Sequence, residues 1–88
     1  MRGRELIAWN IRRIRVAKDI SQERLAFDAG VDRSYLGSVE RGEANPTVDV
    51  LDRLAGTLDV PLTELFEEID ETAASSQSLK RGRKPGNS

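Results

Sequence analysis

Residues 22–41 read Gln22-Glu-Arg-Leu-Ala-Phe-Asp-Ala-Gly-Val-Asp-Arg-Ser-Tyr-Leu-Gly-Ser-Val-Glu-Arg41, and the order of residue types in this stretch decides the fold. Ser21 just before it is a good helix N-cap, and Glu23 puts negative charge in the first turn. Leu25, Ala26 and Ala29 then fall on one face until Gly30 stops the helix. Asp32 caps a second segment with Leu36 and Val39 as its apolar positions, and Gly42 closes it. Two short helices joined this tightly need a residue tolerant of positive φ in the turn and a small residue where they cross. Gly30 and Ala26 supply both. Leu25, Ala29, Val31, Leu36 and Val39 are the positions expected to bury against flanking helices, and the positions between them are polar.

Upstream, Ile7, Ile11 and Ile14 recur at i, i+4 and i+7 between Glu5 and Lys18, with Leu6 and Ala17 beside them, the stripe of an amphipathic helix. Downstream, after the turn Asn45-Pro46, Thr47 caps a fourth helix with Val48, Leu51, Leu54, Ala55 and Leu58 expected inward. Pro61 is expected to start a fifth, carrying Leu62, Leu65, Phe66 and Ile69. The predicted fold is all-α: a compact five-helix domain over residues 1–70 with a helix-turn-helix in its second and third helices. From Thr72 the chain passes through Ala-Ala-Ser-Ser-Gln-Ser into a basic run too poor in apolar residues to join a core. Residues 71–88 are therefore expected to form a flexible basic tail.

Eighty-eight residues suffice for one modest core and not for a separate sensory or catalytic domain. The absence of cysteine and histidine removes disulfides, thiolate chemistry, imidazole bases and the usual zinc ligands. The acidic residues of 42–70 form no catalytic motif, so no enzyme, metal or cofactor is expected. A net charge of −1 conceals a strong polarity. Residues 1–41 carry nine Lys/Arg against six Asp/Glu, residues 42–70 one against eight, and residues 71–88 four against one. This distribution suits a protein that offers one face to phosphate and turns the other away, and equally an ordinary solvated surface. Met1-Arg2-Gly3-Arg4-Glu5 leads into a mixed polar pattern, and no apolar run approaches the ~20 residues of a membrane span. A soluble cytoplasmic protein without membrane contact is expected.

The segments Ile-Ser-Gln-Glu-Arg-Leu-Ala at 20–26, Ala-Gly-Val-Asp-Arg-Ser-Tyr-Leu at 29–36 and Val-Glu-Arg-Gly-Glu-Ala-Asn-Pro-Thr at 39–47 carry a resemblance. With Leu-Asp-Val-Pro-Leu-Thr-Glu-Leu-Phe at 58–66, the chain from Leu6 to Phe66 resembles the Cro/repressor (XRE-like) helix-turn-helix family. The Asp-Arg-Ser-Tyr run at 32–35 is similar to the short dimeric controller proteins of restriction–modification systems. The resemblance implies a nucleoid-associated transcriptional regulator, binding double-stranded DNA as a homodimer on a pseudo-palindromic operator.

The resemblance also assigns roles to residues. Gln22 matches a glutamine that touches a phosphate and braces a neighbouring recognition side chain, or else is a solvent-exposed first-turn residue. Arg33, Ser34, Tyr35 and Ser38 match positions that face the major groove, and Arg33 is suited to guanine O6 and N7 unless it is only a rim charge. The ring of Tyr35 rests on sugar or a thymine methyl, or packs on the second helix. Arg15 and Glu40 match an ion pair that orients helices. Arg12, Arg13, Arg41 and Asn45 are phosphate-contact candidates or plain surface residues. Lys18-Asp19 departs from the common basic-glycine turn and puts a negative charge at that corner, which disfavours phosphate contact there.

One recognition helix on one half-site cannot supply a regulator's specificity, so a dimer is expected. Leu62, Phe66 and Ile69 are the candidate interface, with Leu65 and Phe66 also readable as core. A second function class is an antitoxin-like or adaptor module that binds protein and uses DNA secondarily. In the tail, Lys80-Arg81-Gly82-Arg83-Lys84-Pro85 resembles an AT-hook, whose two arginines, here Arg81 and Arg83, enter a narrow minor groove. Lys84 stands where that motif has proline, and the alternative is an arm with general phosphate affinity or a solubilising tail.

Overall fold

The computed structural model describes residues 3–68, which fold into four α-helices and a closing 3₁₀ turn. The elements are α1 (Gly3–Ala17), α2 (Gln22–Ala29), α3 (Arg33–Glu40), α4 (Val48–Leu58) and the 3₁₀ turn Leu62–Phe66. Among the described residues there is no strand, and no helix is long and apolar enough to cross a membrane. The all-α architecture expected from the periodicities is the one observed.

Each short helix is held at both ends by local hydrogen bonds. Ser21 Oγ accepts from the Arg24 N–H at 3.0 Å, the Asp32 carboxylate from Tyr35 at 3.1 Å, and Thr47 Oγ1 from Val50 at 3.1 Å. These satisfy N–H groups that have no partner within the helix. At the other ends, four residues in the left-handed region reverse the chain: Asp19, Gly30, Gly42 and Asp59, with φ of 59°, 72°, 75° and 61°. Each reversal brings the following N–H back to a carbonyl in the last turn. Ile20 donates to Arg15, Val31 to Ala26 and Val60 to Ala55 at 3.0 Å, and Glu43 to Ser38 at 2.9 Å. This is the Schellman arrangement. Asp19 thus holds a backbone conformation that glycine adopts without steric cost. The Gly30 carbonyl also accepts from Arg53 Nη1 at 3.2 Å, which ties α4 to the end of α2.

The core runs through all five elements. Ile7, Ile11 and Ile14 of α1 meet Leu25, Ala26 and Ala29 of α2, Leu36 and Val39 of α3, Leu51, Leu54, Ala55 and Leu58 of α4, and Leu65. Full burial of one such Leu or Ile stabilises by roughly 1.5–3 kcal/mol, so helices too short to persist alone are fixed by this shared interior.

Two expectations are corrected. The fifth helix is a five-residue 3₁₀ turn, and Pro61 lies just outside it. The Glu64 N–H bonds the Pro61 carbonyl at 2.9 Å, an i to i+3 closure, and α1 captures the chain before an α-helical turn can extend. Asn10 makes that capture: its Nδ2 donates to the carbonyls of Leu65 at 3.0 Å and Glu67 at 2.9 Å. As a result Leu65 is fully buried, Leu62 half-buried and Phe66 43% exposed, so Phe66 is not a core residue. Ile69 and the tail with Arg81 and Arg83 lie outside the described residues. The second correction is Val48, which is exposed. It stands at the edge of the α4 stripe in the first turn, and Val50 on the opposite edge takes the half-buried place.

Candidate nucleic-acid interface

The third helix presents two faces. Leu36, Gly37, Val39 and Glu40 are buried, whereas Arg33 and Ser34 are exposed at its N-terminal end. Tyr35 is half-buried and packs against the core, and Ser38 Oγ donates to the Tyr35 carbonyl at 2.7 Å. Ser34 is the freer of the two serines to meet an external partner.

Beneath this helix lies a polar cluster that joins α1, α2 and α3. Arg15 Nε and Nη2 donate to the two Glu40 oxygens at 2.8 and 2.9 Å, a bidentate pair. Arg15 Nη1 also donates to the Ile20 carbonyl at 2.9 Å. The Glu40 side chain is 3% exposed and that of Arg15 14%. Desolvation offsets much of the Coulombic gain of such a pair, but removing one partner strands a buried charge at a cost of about 3–5 kcal/mol. The pair therefore specifies one relative placement of α1 and α3. Gln22 Nε2 donates to Glu40 Oε1 at 3.2 Å, and Gln22 Oε1 accepts from Arg33 Nη1 at 3.3 Å. The exposed arginine is in this way connected to the buried carboxylate.

Arg41 is exposed, and its Nε donates to Glu43 Oε1 at 3.1 Å. It lies on the same helical stripe as Arg33 because residues 33, 37 and 41 are spaced four apart. The residue between them is Gly37, where a Cβ would stand 3.3 Å from Arg41 Nη1 and 3.6 Å from Gln22 Oε1. Glycine costs an ordinary helix interior about 1 kcal/mol. Here it leaves room for the Arg41 guanidinium to lie close over the helix beside Gln22. Arg12 is exposed and lines a shallow cleft of about 290 Å³ with Trp9, Glu40 and Arg41. Asn45 is exposed in the α3–α4 connection.

Arg12, Gln22, Arg33 and Arg41 are thus brought together around α3, and Arg13 is not. Arg13 donates to Asn10 Oδ1 at 3.0 and 3.3 Å and stands 3.7 Å from Glu64, on the side of the 3₁₀ turn. The sequence reading missed Asn10 and Gly37. An amide at core spacing between Ile7 and Ile14, and a glycine inside a well-capped helix, were the available signals. Acidic residues dominate α4 and the 3₁₀ turn, whereas Arg12, Arg33 and Arg41 lie on α1 and at the ends of α3. A face offering guanidinium donors from an exposed, rigidly backed helix suits an anionic, hydrogen-bond-accepting partner.

The helical arrangement is shared with known proteins. A helix-turn-helix family model, HTH_3, matches residues 11–65. The uncharacterized HTH-type transcriptional regulator y4dJ of Sinorhizobium fredii is 42% identical over 69 residues, covering 78% of this chain and 90% of that protein. Control protein C.SmaI of Serratia marcescens is 42% identical over 63 residues, covering 72% of this chain and 75% of its own length. Among solved structures, the restriction-modification controller protein C.AhdI from Aeromonas hydrophila aligns with a TM-score of 0.70 at 44% identity, covering 72% of this chain and 96% of that chain.

Proposed function

Because the chain belongs to the helix-turn-helix family HTH_3, we propose that it is a transcriptional regulator that binds double-stranded DNA sequence-specifically as a homodimer. The observation that carries this reading is Arg33: exposed on the second helix of the motif, yet held by Gln22 on a buried Glu40–Arg15 pair. In the proposed complex α3 enters the major groove, where Arg33 pairs with a guanine and Ser34 and Tyr35 contact neighbouring base edges or methyl groups. Gln22, Arg41, Arg12 and Asn45 contact phosphates and set the register, while Arg13 and Ser38 contribute less because their donors serve the protein itself.

Dimerisation is proposed through the 3₁₀ turn, where Phe66 is exposed and Leu62 half-buried, and Ile69 extends the same apolar run in sequence. Residues 1–70 are the DNA-binding domain in this reading, and residues 71–88 an arm that adds phosphate affinity through Lys80, Arg81, Arg83 and Lys84. The protein acts in the cytoplasm, on the nucleoid, by binding rather than by catalysis. Selection of bound duplexes from a random pool tests the proposal. A pseudo-palindrome with half-sites about one helical turn apart supports it; recovery of unrelated sequences at equal affinity refutes it.

A further inference from the structure

The side-chain amide of Gln22 has two chemically different ends, and its neighbours dictate which way it points. Its Nε2 donates to Glu40 Oε1 at 3.2 Å, and its Oε1 accepts from Arg33 Nη1 at 3.3 Å. A carboxylate only accepts and a guanidinium only donates, so these two partners permit a single orientation of the amide. Glu40 has no freedom to turn away, since both its oxygens are held by Arg15 at 2.8 and 2.9 Å in a buried setting. Arg15 is in turn anchored on the Ile20 carbonyl at 2.9 Å. The Gln22 oxygen lies over α3 at Gly37, 3.6 Å from where a Cβ would stand. The bonds run without a break from the α1–α2 corner, through the buried carboxylate, to the exposed guanidinium.

We propose that Glu40, buried beneath α3, is a positioning residue for base readout: it fixes the polarity of the Gln22 amide and thereby the direction in which Arg33 presents its fork. The inference rests on the reading of Arg33 as a base-contacting residue. Bidentate pairing with guanine requires the planar guanidinium to lie in the plane of the base, so its rotation matters as much as its position. A guanidinium held at Nη1 before DNA arrives loses less conformational freedom on docking. Without Glu40 the amide is free to turn its NH₂ toward Arg33, which sets donor against donor and releases the fork.

Two variants test this on the duplex selected by the wild-type protein, on single-base-pair changes of it, and on Arg33→Ala to identify the base pair that Arg33 reads. All titrations share one salt concentration. The wild type is expected to discriminate at that base pair by about 5- to 150-fold. Glu40→Gln keeps the shape but lets residue 40 donate as well as accept, so it should reduce this ratio at least about threefold while ratios at other base pairs stay unchanged. Gln22→Glu keeps an acceptor for Arg33 but cannot donate to Glu40 and instead turns a second carboxylate oxygen toward it, a repulsion that Arg15, Arg33 and the helix N-terminus only partly offset. It too should reduce the ratio, whatever general loss it causes on phosphate.

If Gln22→Glu keeps the wild-type ratio, bracing by residue 22 alone suffices and the inference is overturned, even should Glu40→Gln fail to fold. A Glu40→Gln loss spread equally over all duplexes also overturns it, because that marks a purely structural role. The reading beneath it fails separately: in that case Arg33→Ala changes no base-pair ratio at all.

Discussion

Replacing Asn10 should loosen the whole C-terminal side of the domain. Asn10 is 1% exposed, and its two N–H groups reach the carbonyls of Leu65 at 3.0 Å and Glu67 at 2.9 Å. Asn10→Ala removes two hydrogen bonds of about 1 kcal/mol net each. It also leaves the Leu65 carbonyl buried without a partner, a further cost of about 1–3 kcal/mol, whereas water can reach the more open Glu67 carbonyl. A total of roughly 3–5 kcal/mol follows, and at 4–8 °C per kcal/mol for a domain this small, Tm should fall by about 12 °C or more. Asn10→Asp sharpens the test because it is isosteric. It retains an acceptor for Arg13, bonded to Oδ1 at 3.0 Å, but turns an oxygen toward the two carbonyls. It should be at least as damaging as Asn10→Ala. Thermal unfolding followed by far-UV circular dichroism at one fixed protein concentration measures both. If Asn10→Asp melts within about 3 °C of the wild type, the pairing with Arg13 is what matters and the carbonyl clamp is refuted.

Three further outcomes are expected. Phe66→Asp should dissociate the proposed dimer in sedimentation with little loss of helicity, because Phe66 is 43% exposed, whereas Leu65→Asp should unfold the chain; a variant Phe66→Asp that stays dimeric removes the proposed interface. Asp19→Gly and Asp59→Gly each relieve a left-handed backbone and take a negative charge from a helix C-terminus, so each should raise stability by about 1 kcal/mol in urea titration. A fall in stability would show that the aspartates contribute more than their backbone conformation. Deleting residues 80–88 should lower the slope of log K against log salt by up to about one unit per basic residue removed; an unchanged slope means the arm does not touch DNA.

The helices around the motif were legible because their boundaries are punctuated chemically. Ser21, Asp32 and Thr47 cap, Gly30 and Gly42 reverse the chain, and between them the apolar positions repeat with the helical period. The ends at Asp19 and Asp59 were less so, since aspartate adopts the left-handed region only occasionally and glycine is its ordinary occupant. The 3₁₀ turn was misread as an α-helix because the clamp that shapes it lies 55 residues away in sequence, on Asn10. Burial at Val48 failed for a similar reason: periodicity assigns it to the apolar stripe, but which edge of that stripe meets a neighbour is settled by tertiary packing.

At the candidate site the residue types were readable and their connection was not. Arg33, Gln22 and Glu40 lie eleven and eighteen residues apart in their two bonded pairs, and only the crossing of α2 with α3 brings them within hydrogen-bonding distance. Arg13 shows the opposite case. As a basic residue beside Arg12 it reads as a phosphate ligand, yet one step round the helix turns it toward Asn10 and Glu64.

Base readout by α3 through Arg33 is decided by the affinity ratio of Arg33→Ala on selected against scrambled duplexes at one salt concentration. The expected result is a loss of about 1–3 kcal/mol on the selected duplex, traceable to one base pair per half-site, with binding to the scrambled duplex nearly unchanged. An equal loss on both duplexes would contradict it and leave Arg33 as a phosphate contact.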